Sequence, residues 1–134
     1  MARWQLCVTA GALLGGMGVI AGAFGAHALK GRLGADALET WDTAVFYQLV
    51  HALLLVTTGL WLKLGSEGSQ APPVSLSVAA LALMAGILLF SGSLYALALG
   101  GPSALGPVTP LGGVAFVVGW SCLIVAAQSS VSKR

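Results

Sequence analysis

Apolar residues run along this chain in long unbroken blocks, and charged residues gather between the blocks. Residues 4 to 29 contain no Asp, Glu, Lys or Arg, and the same holds for residues 43 to 62 and 68 to 132. About 20 apolar residues in a helix cross the hydrocarbon core of a bilayer. The first two blocks each hold one such span. The third is interrupted by Pro72-Pro73 and by GGPSALGPVTP (100–110) and holds two. The predicted spans are 5–28, 43–63, 74–99 and 111–129. The blocks are continuous rather than alternating, which argues against strands. The expectation is an all-α integral membrane bundle of four transmembrane helices. Neighbouring helices run antiparallel, and residues 1–134 form a single transmembrane domain.

Composition supports this. The chain is 57% hydrophobic and 7% charged, where soluble domains carry about 25% charged residues. A soluble fold this short would lack polar side chains to cover its surface. A cleaved signal peptide is the competing reading of the first block, with Arg3 as a thin n-region and Ala26-His27-Ala28 as a cleavage-like site. Its apolar stretch is about twice the 7–15 residues of a signal core, which favours a retained span. A net charge of +2 is too small to argue for nucleic acid. Cys7 falls near one membrane face and Cys122 near mid-membrane, so they read as small apolar core residues rather than a disulfide.

Four spans put both termini and the 63–73 loop on one side, with Arg3, Lys63, Lys133 and Arg134. The other side carries Lys30, Arg32, Asp36, Glu39 and Asp42. The excess of basic residues places both termini in the cytoplasm. Trp4 and Trp61 then fall at the inner boundary, and Trp41 and Tyr95 near the outer one, where interfacial anchors belong.

Helices in lipid associate through close packing of small residues. Gly11, Gly15, Gly18, Gly22 and Gly25 recur at spacing 4, 3, 4, 3 and form one stripe down the first span. The third span carries Ala82, Gly86, Ser93 and Ala96, interrupted by Leu89. The fourth carries Gly112, Ala115, Gly119, Cys122 and Ala126. Residues 22–31 and 92–101 match at five of ten positions, and the same offset of 70 pairs Phe46 with Phe116 and Leu53 with Leu123. This suggests a duplicated helical hairpin, with the two copies parallel.

The second span has a polar face. The stretch from Ala35 to Asp42 reads as an interfacial lead-in, with a bend before the span, and its acids suit a helix amino end. Thr40, Thr43, Tyr47, His51 and Thr58 then follow on one line, with Gln48 beside it. His27, Ser91, Ser93, Tyr95 and Thr109 belong to the same outer half. Polar groups within spans face the bundle or water rather than lipid. His27, Tyr47, Gln48, His51, Ser93, Tyr95 and Thr109 therefore form a candidate polar cleft open to the outer face. The alternative is a hydrogen-bond network that fixes helix register, at about 0.6 kcal/mol per bond.

The chain has two histidines, each in a His-Ala-Leu triplet. His27 lies about 4–5 Å below the outer boundary and His51 about 13 Å, at 1.5 Å per residue. Ligands of one metal need both ring nitrogens about 2 Å from it. The depths do not fit a shared metal or haem, and no cofactor is expected. His51 with Tyr47 one turn away reads alternatively as a proton-sensitive polar pair. Catalysis has no better claim: no acid lies inside a span, Ser93 has no visible base, and the glycines are not phosphate loops.

Four phrases, taken in order, carry a resemblance. GAFGAHAL (22–29), YQLVHALL (47–54), FSGSLYALAL (90–99) and VTPLGGVAFVVGW (108–120) resemble the YgdD-like family of small bacterial inner-membrane proteins, which has mitochondrial relatives in animals. The resemblance covers about residues 5 to 128. It implies a four-helix protein of the cytoplasmic membrane. It implies no biochemical activity, since the family's function is unknown.

These observations favour a non-enzymatic structural or interaction protein that binds membrane lipids, a larger membrane complex or another copy of itself through glycine-rich helix faces. A small-molecule or ion binding or transport protein using the polar cleft is the alternative. A redox or metal-binding membrane subunit is more remote.

Overall fold

The computed structural model describes residues 1–68 and 71–131. Lys133 and Arg134, two of the basic residues that favour cytoplasmic termini, lie outside the described residues. Helix α1 (Arg3–Phe24) continues into a π-helical turn over Gly25–Leu29. Helix α2 spans Ala35–Glu67. Helix α3 (Val74–Gly86) passes through a second π turn, Ile87–Ser91, into α4 (Gly92–Ala98). A 3₁₀ turn at Ser103–Leu105 precedes α5 (Val108–Val131). No strand occurs among the described residues. Four stretches are long and apolar enough to cross a membrane: Arg3–Leu29, Ala35–Glu67, Val74–Ala98 and Ser103–Ser129.

The helix ends follow local chemistry. The Ala2 amide donates to Gln5 Oε1 at 2.8 Å and closes the start of α1. Gly31 (φ 87°) and Gly100 (φ 82°) adopt the left-handed conformation after the first and third spans, where a Cβ would be strained. Pro72 and Pro73 lead into α3, where proline's missing N–H costs nothing. Helix α2 shows no break at Asp42. It runs about 50 Å at 1.5 Å per residue, against a hydrocarbon core of about 30 Å. Its amino end therefore projects beyond the span, and the bend expected before residue 43 is absent.

The packing has α2 and the α3–α4 rod at its centre, with α1 and α5 more exposed. The α1 stripe faces α2 in antiparallel register: a Cβ on Gly11 would meet Val56 Cγ2 at 2.7 Å and Ala52 O at 2.9 Å. Gly18 meets Leu49, Gly22 meets Val45, and Gly25 meets Trp41. Gly59 answers from α2, where a Cβ would lie 2.9 Å from Cys7 Cβ. On the other side, α5 lies antiparallel to α3: Gly112 abuts the Phe90 backbone, Gly119 abuts Leu83, and Gly86 receives the Phe116 ring. The glycine faces are thus used up inside the bundle.

The two closest interfaces are the sequential hairpins α1–α2 and α3–α5, the pairing a duplication would produce. Their registers differ. An offset of 70 maps the Gly18–Leu49 contact onto Gly119 and Leu88, yet Gly119 meets Leu83 and Leu88 is 63% exposed. The second π turn lies within α3–α4, whereas the first lies at the end of its span. Each extra residue rotates the helix beyond it, so the hairpins pack with different faces.

Candidate functional site

The half of the bundle at the amino end of α2, called the outer half after the orientation expected from the sequence, gathers the polar side chains that the sequence singled out. Gln48 on α2 is buried between two helices. Its Nε2 donates to the Leu14 carbonyl of α1 at 2.7 Å, and its Oε1 accepts from the Tyr95 hydroxyl of α4 at 2.7 Å. One amide therefore ties α1, α2 and α4 together. Ser91, in the second π turn, donates to the Ala44 carbonyl of α2 at 2.8 Å. Ser93 donates to the Phe90 carbonyl at 3.0 Å and lies 2.7 Å from the Thr109 hydroxyl. Ser93 has one proton, so Thr109 is the donor in that pair. The link fastens α4 to the start of α5.

His51 lies deeper and is buried. Its Nδ1 is 2.7 Å from the Tyr47 carbonyl. A carbonyl only accepts, so Nδ1 carries the proton and Nε2 is the acceptor. Trp120 Nε1 donates to that Nε2 at 3.3 Å. The imidazole stacks on Phe116, with centroids 3.5 Å apart and planes 12° apart. Tyr47 packs against Phe90 at 4.4 Å and lies near-parallel to the imidazole at 5.8 Å. Both ring nitrogens are engaged in this arrangement, so ligation of a metal through Nε2 would first have to displace Trp120.

His27 stands apart. It is exposed on the first π turn, and Gly25, two residues before it, faces Trp41. That register sets His27 near the level of residue 40, about 16 Å from His51 along the axis at 1.5 Å per residue. The height difference expected from the sequence is thus larger in the structure.

Of the seven cleft candidates, Gln48 and Tyr95 form one linked unit. Ser93 and Thr109 form a second, and Tyr47 and His51 a third. Their hydrogen bonds run to one another, to Trp120 and to helix carbonyls. Among the described residues, Ser75 Oγ alone is a buried side-chain polar atom without a partner, and it lies at the far end of the bundle. Gln48, His51, Ser93, Tyr95 and Thr109 are thus held in interhelical bonds, whereas His27 and the Tyr47 side chain are exposed.

Trp41 and Tyr95 are not interfacial anchors. Trp41 is 7% exposed, and its Nε1 donates to the Ala21 carbonyl at 2.9 Å. Its ring lies 4.6 Å from that of Tyr95. With Leu29 and Ala98 it fills the outer gap between α1 and α4. Phe90, Phe116 and Trp120 also partner the polar face, although nothing in their sequence positions points to it. Phe116 and Trp120 sit four residues apart, a spacing that places them on one helix face.

The outer end of α2 carries a shallow groove of about 520 Å³, lined by Ala35, Leu38, Glu39, Asp42, Thr43, Phe46 and Tyr47. All seven lie on α2 at helical spacing, so this stripe has no covering helix. Phe46 is 63% exposed, and Glu39 and Asp42 sit above it.

Comparison with known proteins adds the family. The model of a family described as "Protein of unknown function (DUF423)" matches residues 21–113. The chain is 44% identical over 124 residues to UPF0382 membrane protein YwdK of Bacillus subtilis (strain 168), covering 92% of this chain and 96% of that protein. It is 40% identical over 122 residues to UPF0382 membrane protein SAB0533 of Staphylococcus aureus (strain bovine RF122 / ET3-1), covering 91% and 94%. No solved structure matches.

Proposed function

Because the chain belongs to the DUF423 family and is a membrane protein, we propose that it is a non-catalytic interaction subunit that binds a partner membrane protein through the outer end of α2. The observation that carries this reading is the uncovered stripe from Ala35 to Tyr47. Acids at its top and an exposed aromatic below suit a partner helix that carries a basic residue at the membrane surface. The glycine faces are engaged internally, so a partner must use another surface. The closed polar ties weigh against the small-molecule or ion transport reading, since a ligand there would have to break interhelical bonds. Localisation to the cytoplasmic membrane with both termini in the cytoplasm completes the proposal. It is supported by the sequence count of basic residues, Arg3, Lys63, Lys133 and Arg134 on one side of the four spans against Lys30 and Arg32 on the other.

The test is a photo-crosslinking amino acid placed at Phe46 and, as a lipid-facing control, at Ile124. A discrete protein adduct at position 46, absent at 124 and lost with Glu39→Lys/Asp42→Lys, is the expected result. An adduct of twice the chain mass would make the partner a second copy. Identical lipid-only adducts at both positions would overturn the reading.

A further inference from the structure

The inner end of the bundle differs from the outer end in one respect. Outside, Trp41 and Tyr95 fill the gap between α1 and the third span. Inside, the corresponding gap is open. A crevice of about 450 Å³ lies between α1 and α3, with Arg3, Leu6 and Cys7 on one wall and Val78, Leu81 and Met84 on the other. Leu62 of α2 forms its floor. A second space of about 400 Å³ continues it toward the inner surface, past Trp4, Ser66 and Pro72, and shares Arg3, Leu62, Val74 and Ser77 with the first.

The chemistry of this passage is graded. From Val74 to Met84 it runs about 15 Å along α3 at 1.5 Å per residue, with apolar walls apart from Ser77. At its mouth sits Arg3. Glu67 is the acid nearest this end in the sequence, and it pairs with Lys63 at 3.8 Å. Among the described residues, Arg3 has no carboxylate partner. Lys63 also lies over the Trp4 ring at 5.2 Å, which adds positive charge beside the mouth of the passage. The amino end of α3 contributes the same sign.

We propose that this crevice is a binding site for an anionic phospholipid. One acyl chain lies between α1 and α3 against Leu6, Val78, Leu81 and Met84, and the headgroup phosphate meets Arg3. An apolar slot with an unpaired guanidinium at its mouth is complementary to an acyl chain under a negatively charged headgroup. A zwitterionic lipid would fill the slot equally well and present the same phosphate, but its choline would bring a second positive charge beside Arg3 and Lys63. This site lies at the opposite end of the bundle from the partner stripe on α2, and neither proposal depends on the other.

The test is native mass spectrometry of the intact protein released from detergent and titrated with phosphatidylglycerol or phosphatidylcholine of the same acyl chains. One basic residue at a membrane surface is worth about 1 kcal/mol, or about fivefold in affinity. Phosphatidylglycerol should bind at least that much more tightly than phosphatidylcholine. Arg3→Gln should remove the preference, with the larger loss of affinity on phosphatidylglycerol. Val78→Trp, which fills the slot from its exposed side, should weaken both lipids. Lys63→Gln should keep most of the preference. Equal binding of the two lipids by the unmodified protein would overturn the proposal. So would an Arg3→Gln variant with the preference intact, or equal losses in Arg3→Gln and Lys63→Gln, which would indicate diffuse surface charge. Far-ultraviolet circular dichroism on each variant separates loss of binding from loss of fold.

Discussion

Gly11, Gly15 and Gly16 lie on one helix within two turns, yet the packing assigns them different costs. An alanine Cβ at position 11 would lie 2.9 Å from both the Ala52 carbonyl oxygen and the Val56 amide nitrogen. Those are backbone atoms of α2, and no rotamer change can move them. The helices would have to separate, with a loss of contact along the whole α1–α2 interface. Overpacking of this kind costs about 1–3 kcal/mol. At position 15 the nearest atom would be Ala52 Cβ at 3.8 Å, an ordinary contact, and at position 16 nothing lies within 4 Å. There an alanine gains about 0.5–1 kcal/mol of helix preference over glycine. The helix preference is common to all three positions and cancels, so Gly11→Ala should be less stable than Gly15→Ala or Gly16→Ala by about 1–3 kcal/mol, the overpacking cost alone. The assay is reversible unfolding by sodium dodecyl sulfate in mixed micelles, followed by circular dichroism. Equal stability of Gly11→Ala and Gly15→Ala would refute the close approach of α1 and α2, because no difference in helix preference separates the two positions.

Removal of the Gln48 bridge should be measurable in the same assay. Gln48→Leu loses two interhelical bonds at about 0.6 kcal/mol each. A double-mutant cycle with Tyr95→Phe should show coupling of that order, whereas strict additivity would mean that the 2.7 Å bond contributes nothing. For orientation, single cysteines placed at Ser66 and Ser103 in a cysteine-free background should separate the two faces. A membrane-impermeant maleimide should label position 103 in intact cells and position 66 only after lysis. The reverse pattern would invert the proposed topology.

Much of the architecture was legible in the chain. The four spans came from local transfer free energy, which a window of about 20 residues reports by itself. The glycine stripe at 11, 15, 18, 22 and 25 marked the tight face of α1, because 3.6 residues per turn fixes which side chains share a face. The polar residues of the outer half also collected as expected. Their roles could not be read in advance. Ser91 and Gln48 bond to the carbonyls of Ala44 and Leu14, and every residue carries a carbonyl, so sequence gives no sign of which one a side chain will reach. Trp41 looked like an interfacial anchor because its position near Lys30 and Asp42 fits that role. Its burial depends on Gly25 leaving room for the indole across the helix pair.

By itself, then, the sequence determined the number of spans, their antiparallel order and the face on which α1 packs, all properties of short windows and helical periodicity. The tertiary structure decided which glycines touch backbone, how the two hairpins differ in register and which partners close the polar ties. It also decided that the outer gap beside α1 is filled while the inner one is open. Those outcomes depend on the rotation and register of whole helices against one another, set by contacts between residues far apart in the chain. Two π turns shift the register in ways no local window encodes, and the same glycine is tight or loose according to what the opposite helix places against it.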